Sequence, residues 1–216
     1  MIGIVLLALG LLVRVLIPRF MIRLPVALRM NAQTGCWVVA SRDLGILPSG
    51  RVYWHIDRFG DRLSAEAVKG PNGTVVESYG RVWLHTVTSD VSAPTPGEHV
   101  AVIGPLPTDP GKTYTAVYME GTFRPGMRSI VHRHPGPEAF YNLDGEFCLE
   151  TPGRKTMVGP GESVFVEGET PMELTATGTA IRRSLVLILR SSNRMLGTPV
   201  FDWTSKGLCN ERHGGS

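Results

Sequence analysis

Residues 113 to 190 are built of short extended segments, each closed by turn chemistry at a spacing of about ten residues, and this pattern constrains the fold more than any other feature. Thr113–Phe123 meets no breaker before Gly121, residues 129–134 form a second segment, and residues 139–150 are divided by Asp144-Gly145. Gly159-Pro160-Gly161 and Thr177-Gly178 mark two further turns ahead of the apolar strand at 185–189. Asp-Gly between strand-like stretches is a type I′ hairpin signal, so the segments on either side of it are read as a hairpin. Six or more short strands at this spacing predict a closed or double-sheet all-β architecture, because an open sheet would leave its edges unpaired. The 25 Gly and 16 Pro among 216 residues supply the turns such a fold needs.

Upstream, residues 51–57 and 80–87 add two strand-like segments, with a short helical stretch at 63–69 between them and a turn at Pro71-Asn72-Gly73-Thr74. Residues 91–111, with five Pro and three Gly, read as a loop. The expected organisation is a hydrophobic leader and linker at 1–45, a preamble of strands and a short helix at 46–111, a barrel at 112–192 and a C-terminal tail at 193–216. Three cysteines, Cys36, Cys148 and Cys209, are odd in number, far apart and without C-x-x-C spacing. They are expected to form neither a zinc framework nor a disulfide scaffold.

The formal charge of +3 would ordinarily suggest an anionic partner, but its location decides otherwise. Residues 1–30 hold Arg14, Arg19, Arg23 and Arg29 and no acid, so the rest of the chain has a net charge of −1. A nucleic-acid groove needs clustered bases, and here they are interspersed with acids, which sets nucleic acid aside as a partner. Residues 2–17 are apolar except for Arg14. The uninterrupted part of that run is shorter than the ~20 residues of a membrane span, and no basic residue precedes it. An N-terminal hydrophobic helix associating with a membrane is the expectation, with a signal peptide, an interfacial helix or an over-long gene start as alternatives. As an anchor, its arginines would keep the body in the cytoplasm by the positive-inside rule; a soluble cytoplasmic protein is the other reading.

The chemistry is concentrated at His132 and His134. Two apart on a predicted strand, their imidazoles project from one face, and Pro135-Gly136-Pro137 is a turn that can bring Glu138 back toward them. Two imidazoles and one carboxylate suit Fe(II), Mn(II), Zn(II) or Ni(II) and leave coordination positions open. Gly126, five residues, His132-x-His134, three residues, Glu138, six residues, Gly145 resembles the first motif of the cupin superfamily in every spacing. The stretch from Gly161 to Leu174 resembles the second, with departures: Glu167 stands where that motif has proline, and Met172 (Pro171 in a one-residue shift) where it has a third histidine. The chain is also similar to small bacterial single-domain cupins with an N-terminal hydrophobic segment. The resemblance implies a double-stranded β-helix, or jelly-roll, barrel and a homodimer.

A thioether is a poor donor for the harder ions, so Met172 is expected to pack against the pocket, with His55 and His85 as candidates for a fourth ligand. Tyr118 and Glu120 share a strand face; if it points inward, Tyr118 is the candidate acid or base and Glu120 a pocket group. Phe140 and Asn142 alternate in phase and are candidate lining residues. Of Arg182-Arg183, one points to each side of its strand, and Arg182 is a candidate for a substrate carboxylate, with a solvated surface pair as the blander reading. The resemblance implies a metal-dependent enzyme acting on a small organic molecule, with a dioxygenase-type oxidoreductase as the leading reading. The alternatives are a metal-dependent lyase or isomerase and a non-catalytic small-ligand-binding barrel.

Overall fold

A computed structural model describes residues 33–48 and 51–210 of the chain. Its strands are β1 (Gly35–Ile46), β2 (Val52–Phe59), β3 (Gly73–Ser78), β4 (Arg81–Thr88), β5 (Glu98–Leu106), β6 (Thr113–Phe123) and β7 (His132–Arg133). They continue as β8 (Glu138–Asp144), β9 (Glu146–Thr151), β10 (Arg154–Val158), β11 (Ser163–Val166), β12 (Glu173–Thr177), β13 (Arg182–Ser191) and β14 (Thr198–Pro199), with one helix, α1 (Arg62–Val68), after β2.

Side-chain alternation along β6, β8 and β13 divides the molecule into layers. These strands belong to a five-stranded sheet of order β1-β6-β13-β8-β11. Val186 and Ile188 of β13, Val117 of β6 and Phe140 of β8 point one way, into a core shared with Phe147 and Leu149 of β9 and Leu174 and Ala176 of β12. The sheet β10-β9-β12 is therefore the opposite wall of a barrel. Leu185, Leu187 and Leu189 point the other way, with Tyr114, Ala116 and Tyr118, into a second core built with Trp54, Ile56, Trp83, Val87 and Ile103. Those partners come from the four-stranded sheet β3-β4-β2-β5, which covers the outside of the five-stranded wall. Because both faces of β13 are covered, its central segment 185–189 is continuously apolar instead of alternating. The all-β architecture read from the turn spacing is what the strands form.

Four local readings are corrected. Residues 35–45 fall in the expected leader and linker, yet Gly35–Ile46 is the edge strand β1, paired along its length with β6. Part of the expected 91–111 loop is β5, which pairs with β2; the segment His99-Val-Ala-Val-Ile103 has the strand-forming side chains, and the Pro residues lie at or beyond its ends. Asp144-Gly145 does turn the chain, but β8 and β9 do not pair with each other: β8 joins β13 and β11, whereas β9 joins β10 and β12. The turn thus carries the chain from one wall to the other. Finally, Cys148 and Cys209 form a disulfide across 61 residues, with Cα atoms 5.6 Å apart. The tail folds back over the outside of the smaller wall, where the backbone N–H groups of Lys206 and Leu208 donate to Glu150 and the Ser205 hydroxyl to Glu173. This return brings Cys209 onto the outward-facing Cys148 of β9.

Among the described residues no helix is long and apolar enough to cross a membrane. The hydrophobic stretch at 2–17, and the helix predicted there, lie outside the described residues.

Candidate metal centre

The site begins with a close approach between backbones. Pro135-Gly136-Pro137 ends β7 after two residues and presses onto β13: a Cβ at Gly136 would lie 1.9 Å from the Leu189 carbonyl oxygen, so only glycine fits. Leu189 N–H donates to the Pro137 carbonyl (3.0 Å) and Glu169 N–H to that of His134 (2.7 Å), fixing both sides of the turn. The chain re-enters the wall as β8 with Glu138 opposite Ile188, hence pointing into the barrel. On the histidine side, β7 pairs with β14, and His132 exchanges both backbone hydrogen bonds with Met172 (3.1 and 2.9 Å).

The three side chains converge. His134 Nε2 lies 3.3 Å and His132 Nε2 4.0 Å from Glu138 Oε2, and one ligand atom from each residue falls within 4.8 Å of the others. Each Nδ1 lies against a backbone carbonyl, His132 on Ile130 (2.8 Å) and His134 on Leu196 (2.6 Å). A carbonyl only accepts, so each Nδ1 carries a hydrogen, and a neutral ring then offers its Nε2 lone pair to the cluster. Backbone carbonyls in this role are a common outer shell for metal-binding histidines. Glu138 is buried, and its Oε2 makes no hydrogen bond among the described residues. Burial works against the charged form of His134, but the Glu138 carboxylate and the Leu196 carbonyl outweigh it and raise the pKa. Burial likewise works against ionised Glu138, and His134, His132 and Arg182 together outweigh it and hold the carboxyl below its usual range. An orphaned buried carboxylate oxygen facing two nitrogen donors fits a divalent cation, and these residues can hold one.

The remaining candidates are distributed unequally. Met172 is buried in the barrel core beside His132, so a thioether occupies the space next to the cluster. Phe140 and Asn142 also face inward, but the Asn142 amide is engaged, donating to the Gly145 carbonyl (2.7 Å) and accepting from the Ser184 hydroxyl (2.8 Å). Arg182 is fully buried among Phe123, Phe140 and Phe147, which overturns the solvated surface pair. Only Arg183 is outside, paired with Asp144 at 3.4 Å.

Tyr118 and Glu120 are corrected as pocket groups. They lie on the face of β6 turned to the four-stranded sheet, where Tyr118 stacks on His85 with ring centroids 4.8 Å apart. Neither His55 nor His85 supplies a fourth ligand: His55 Nε2 meets the Asp90 carbonyl (2.8 Å), and His85 Nδ1 accepts from Trp54 Nε1 (3.1 Å) in the second layer. Sequence reasoning missed the carbonyls of Ile130 and Leu196, which no residue type announces, and the packing role of Gly136, which the Pro-Gly-Pro turn does signal.

Residues 119–188 match the family model of the cupin domain. Solved structures to which the chain is similar include a cupin superfamily protein from Desulfitobacterium hafniense DCB-2, at 14% identity over 39% of this chain and 73% of that one, with a TM-score of 0.33. A DMSP lyase from Ruegeria pomeroyi DSS-3 aligns at 25% identity over 39% of this chain and 42% of that one, TM-score 0.35. An oxalate oxidase in complex with glycolate aligns at 17% identity over 39% and 46%, TM-score 0.35. The matches span less than half of the latter two chains. No curated protein matches the chain by sequence.

Proposed function

We propose that this chain, whose residues 119–188 match the cupin-domain family model, is a metal-dependent enzyme oxidising a small organic substrate in the manner of a dioxygenase. The observation that carries this reading is the convergence of His132, His134 and Glu138 with both Nδ1 atoms tied to carbonyls and Glu138 Oε2 unpartnered. Bound there, a divalent ion would supply Lewis acidity and, if redox-active, an electron-transfer centre with positions free for substrate and oxygen.

The chain's own part is to position and to exclude water. Val117, Phe140, Val166, Met172 and Ile188 make the surroundings of the cluster apolar, which strengthens every electrostatic interaction inside it. With Tyr118 turned outward, Glu138 is the one carboxyl group among the described inward residues of β6, β8 and β13. The lyase or isomerase alternative must move a proton, for which Glu138 is the candidate carrier at this site.

Metal content of untagged protein tests the reading. A near-stoichiometric transition metal that His134→Ala loses, together with oxygen consumption on a panel of small organic substrates, is the expected result. Less than about a tenth of an equivalent, with no gain on reconstitution, overturns it. Turnover without oxygen would move the assignment to the lyase or isomerase class, and ligand binding without product to the non-catalytic barrel.

Membrane association through residues 2–17 and a homodimer belong to the same proposal, and fractionation and light scattering test them. The Cys148–Cys209 disulfide supports an oxidising compartment for the body, since disulfides are rare in the cytosol. That stands against the cytoplasmic side implied by the arginines.

A further inference from the structure

The most unusual side chain in the barrel is Arg182. It opens β13 opposite Phe123 and turns inward, none of its surface is exposed, and its guanidinium lies 4.6 Å from the ring centre of Phe147, 5.4 Å from that of Phe123 and 5.7 Å from that of Phe140. Room for it exists because position 121 has no side chain: a Cβ there would lie 2.7 Å from the nearer terminal nitrogen. Nε, Nη1 and Nη2 all lack a hydrogen-bond partner among the described residues. A guanidinium has five N–H donors in a planar fork, and a buried one without acceptors is among the rarest arrangements in folded proteins.

The groups whose charge acts on it are Cys36, Tyr79 and Glu138. The thiol and the phenol are mostly protonated at neutral pH, which leaves Glu138 as the one carboxylate; it feels the arginine's charge but makes no ion pair with it. Burial lowers the Arg182 pKa to about 10, so the cation persists at neutral pH. Phenyl faces attract it through their quadrupoles without accepting its five hydrogens. Arg183 shows the ordinary structural solution in the next residue, an exposed ion pair with Asp144.

We propose that Arg182 is the anion-recognition residue of the barrel, its fork taking the carboxylate of a small organic acid whose other end reaches the His132–His134–Glu138 side of the same interior. Planar bidentate pairing is the geometry that guanidinium and carboxylate share. The inference rests on the barrel interior being the ligand site, and it narrows the substrate class to organic acids with a short apolar body suited to walls of Phe, Val and Met.

Calorimetric titration with butanoate and with butanamide, which has the same shape but no charge, tests it on protein stripped of metal and on protein loaded with Zn(II). Butanoate should bind and butanamide should not. Arg182→Met should abolish binding and Arg182→Lys should weaken it at least about tenfold, since the amine lacks the fork. Metal content should be unchanged in both variants, and the unliganded melting temperature of Arg182→Met should not fall, because a buried cation without acceptors has been removed. Equal responses to acid and amide, no response to either, or butanoate binding of native strength in Arg182→Lys overturns the proposal. Arginine-dependent butanoate binding to stripped protein that never takes up metal would instead sink the metal reading and leave this one standing. Should Arg182→Met fail to fold, Arg182→Lys and the acid-against-amide contrast in the native protein still decide.

Discussion

Two buried imidazoles, one in each core, differ in what their Nδ1 atoms do. His85, between the four-stranded sheet and the barrel wall, accepts a hydrogen bond from Trp54 Nε1 and stacks on Tyr118, and burial drives its pKa down to about 3. His134, inside the barrel, donates from Nδ1 to the Leu196 carbonyl and turns Nε2 to a buried carboxylate, and its pKa rises. A donor arriving at Nδ1 makes a histidine a neutral packing element, whereas an acceptor at Nδ1 and an unpaired anion beyond Nε2 suit it to the role of a ligand. Residue type and burial alone do not separate the two roles.

The strongest way to break that contrast is to remove the His85 stack. Tyr118→Ala deletes a fully buried ring and is expected to cost about 3–5 kcal/mol of unfolding free energy, as for other buried aromatics, while the folded fraction keeps its metal. Urea unfolding followed beside metal content measures both. Loss of metal at unchanged stability would return Tyr118 to the site.

Acid provides the next largest effect. Between the unfolded value of 6.5 and the folded value of about 3, the unfolded chain takes up a proton at His85 that the folded chain refuses. Stability from this residue is therefore complete above pH 6.5 and declines as the pH falls, by about 1.4 kcal/mol per unit, or roughly 2 kcal/mol by pH 5. His85→Gln keeps an acceptor for Trp54 and removes the titration, so its urea midpoint should fall less steeply with acid than that of the native protein. Parallel curves would mean that His85 is protonated in the fold.

The two regions were unequally legible in the sequence. Turn spacing exposed the barrel strands, and the interval from Gly126 to Gly145 exposed the His132, His134 and Glu138 cluster, because both are local patterns. The inward face of β6 was not legible. Tyr114, Ala116 and Tyr118 line one core and Val117 and Phe123 the other, so both faces are apolar and the two-residue period that fixes orientation disappears. Asp144-Gly145 announced a turn but not the partners of the strands it joins, since pairing is set by the rest of the sheet. Cys148 and Cys209 meet only because the tail returns, and their separation of 61 residues carries no such information.

The smallest effect probes the carbonyl that orients His134. Gly197 follows Leu196, and a Cβ there would come within 2.9 Å of His134 Cε1 and 3.0 Å of its Nδ1. Gly197→Ala should push the ring off the Leu196 carbonyl while the β7 and β14 pairing persists, because the added methyl crowds the His134 ring and meets the Arg133 carbonyl of the ladder only at 3.4 Å, an ordinary contact. Outer-shell changes of this kind cost about tenfold or more in metal affinity, near 1.4 kcal/mol, with little change in the melting temperature of metal-free protein. Competition against a chelator reads the affinity directly. Unchanged affinity would show that Nε2 is presented without help from Nδ1, and the distinction between His134 and His85 would then rest on Glu138 alone.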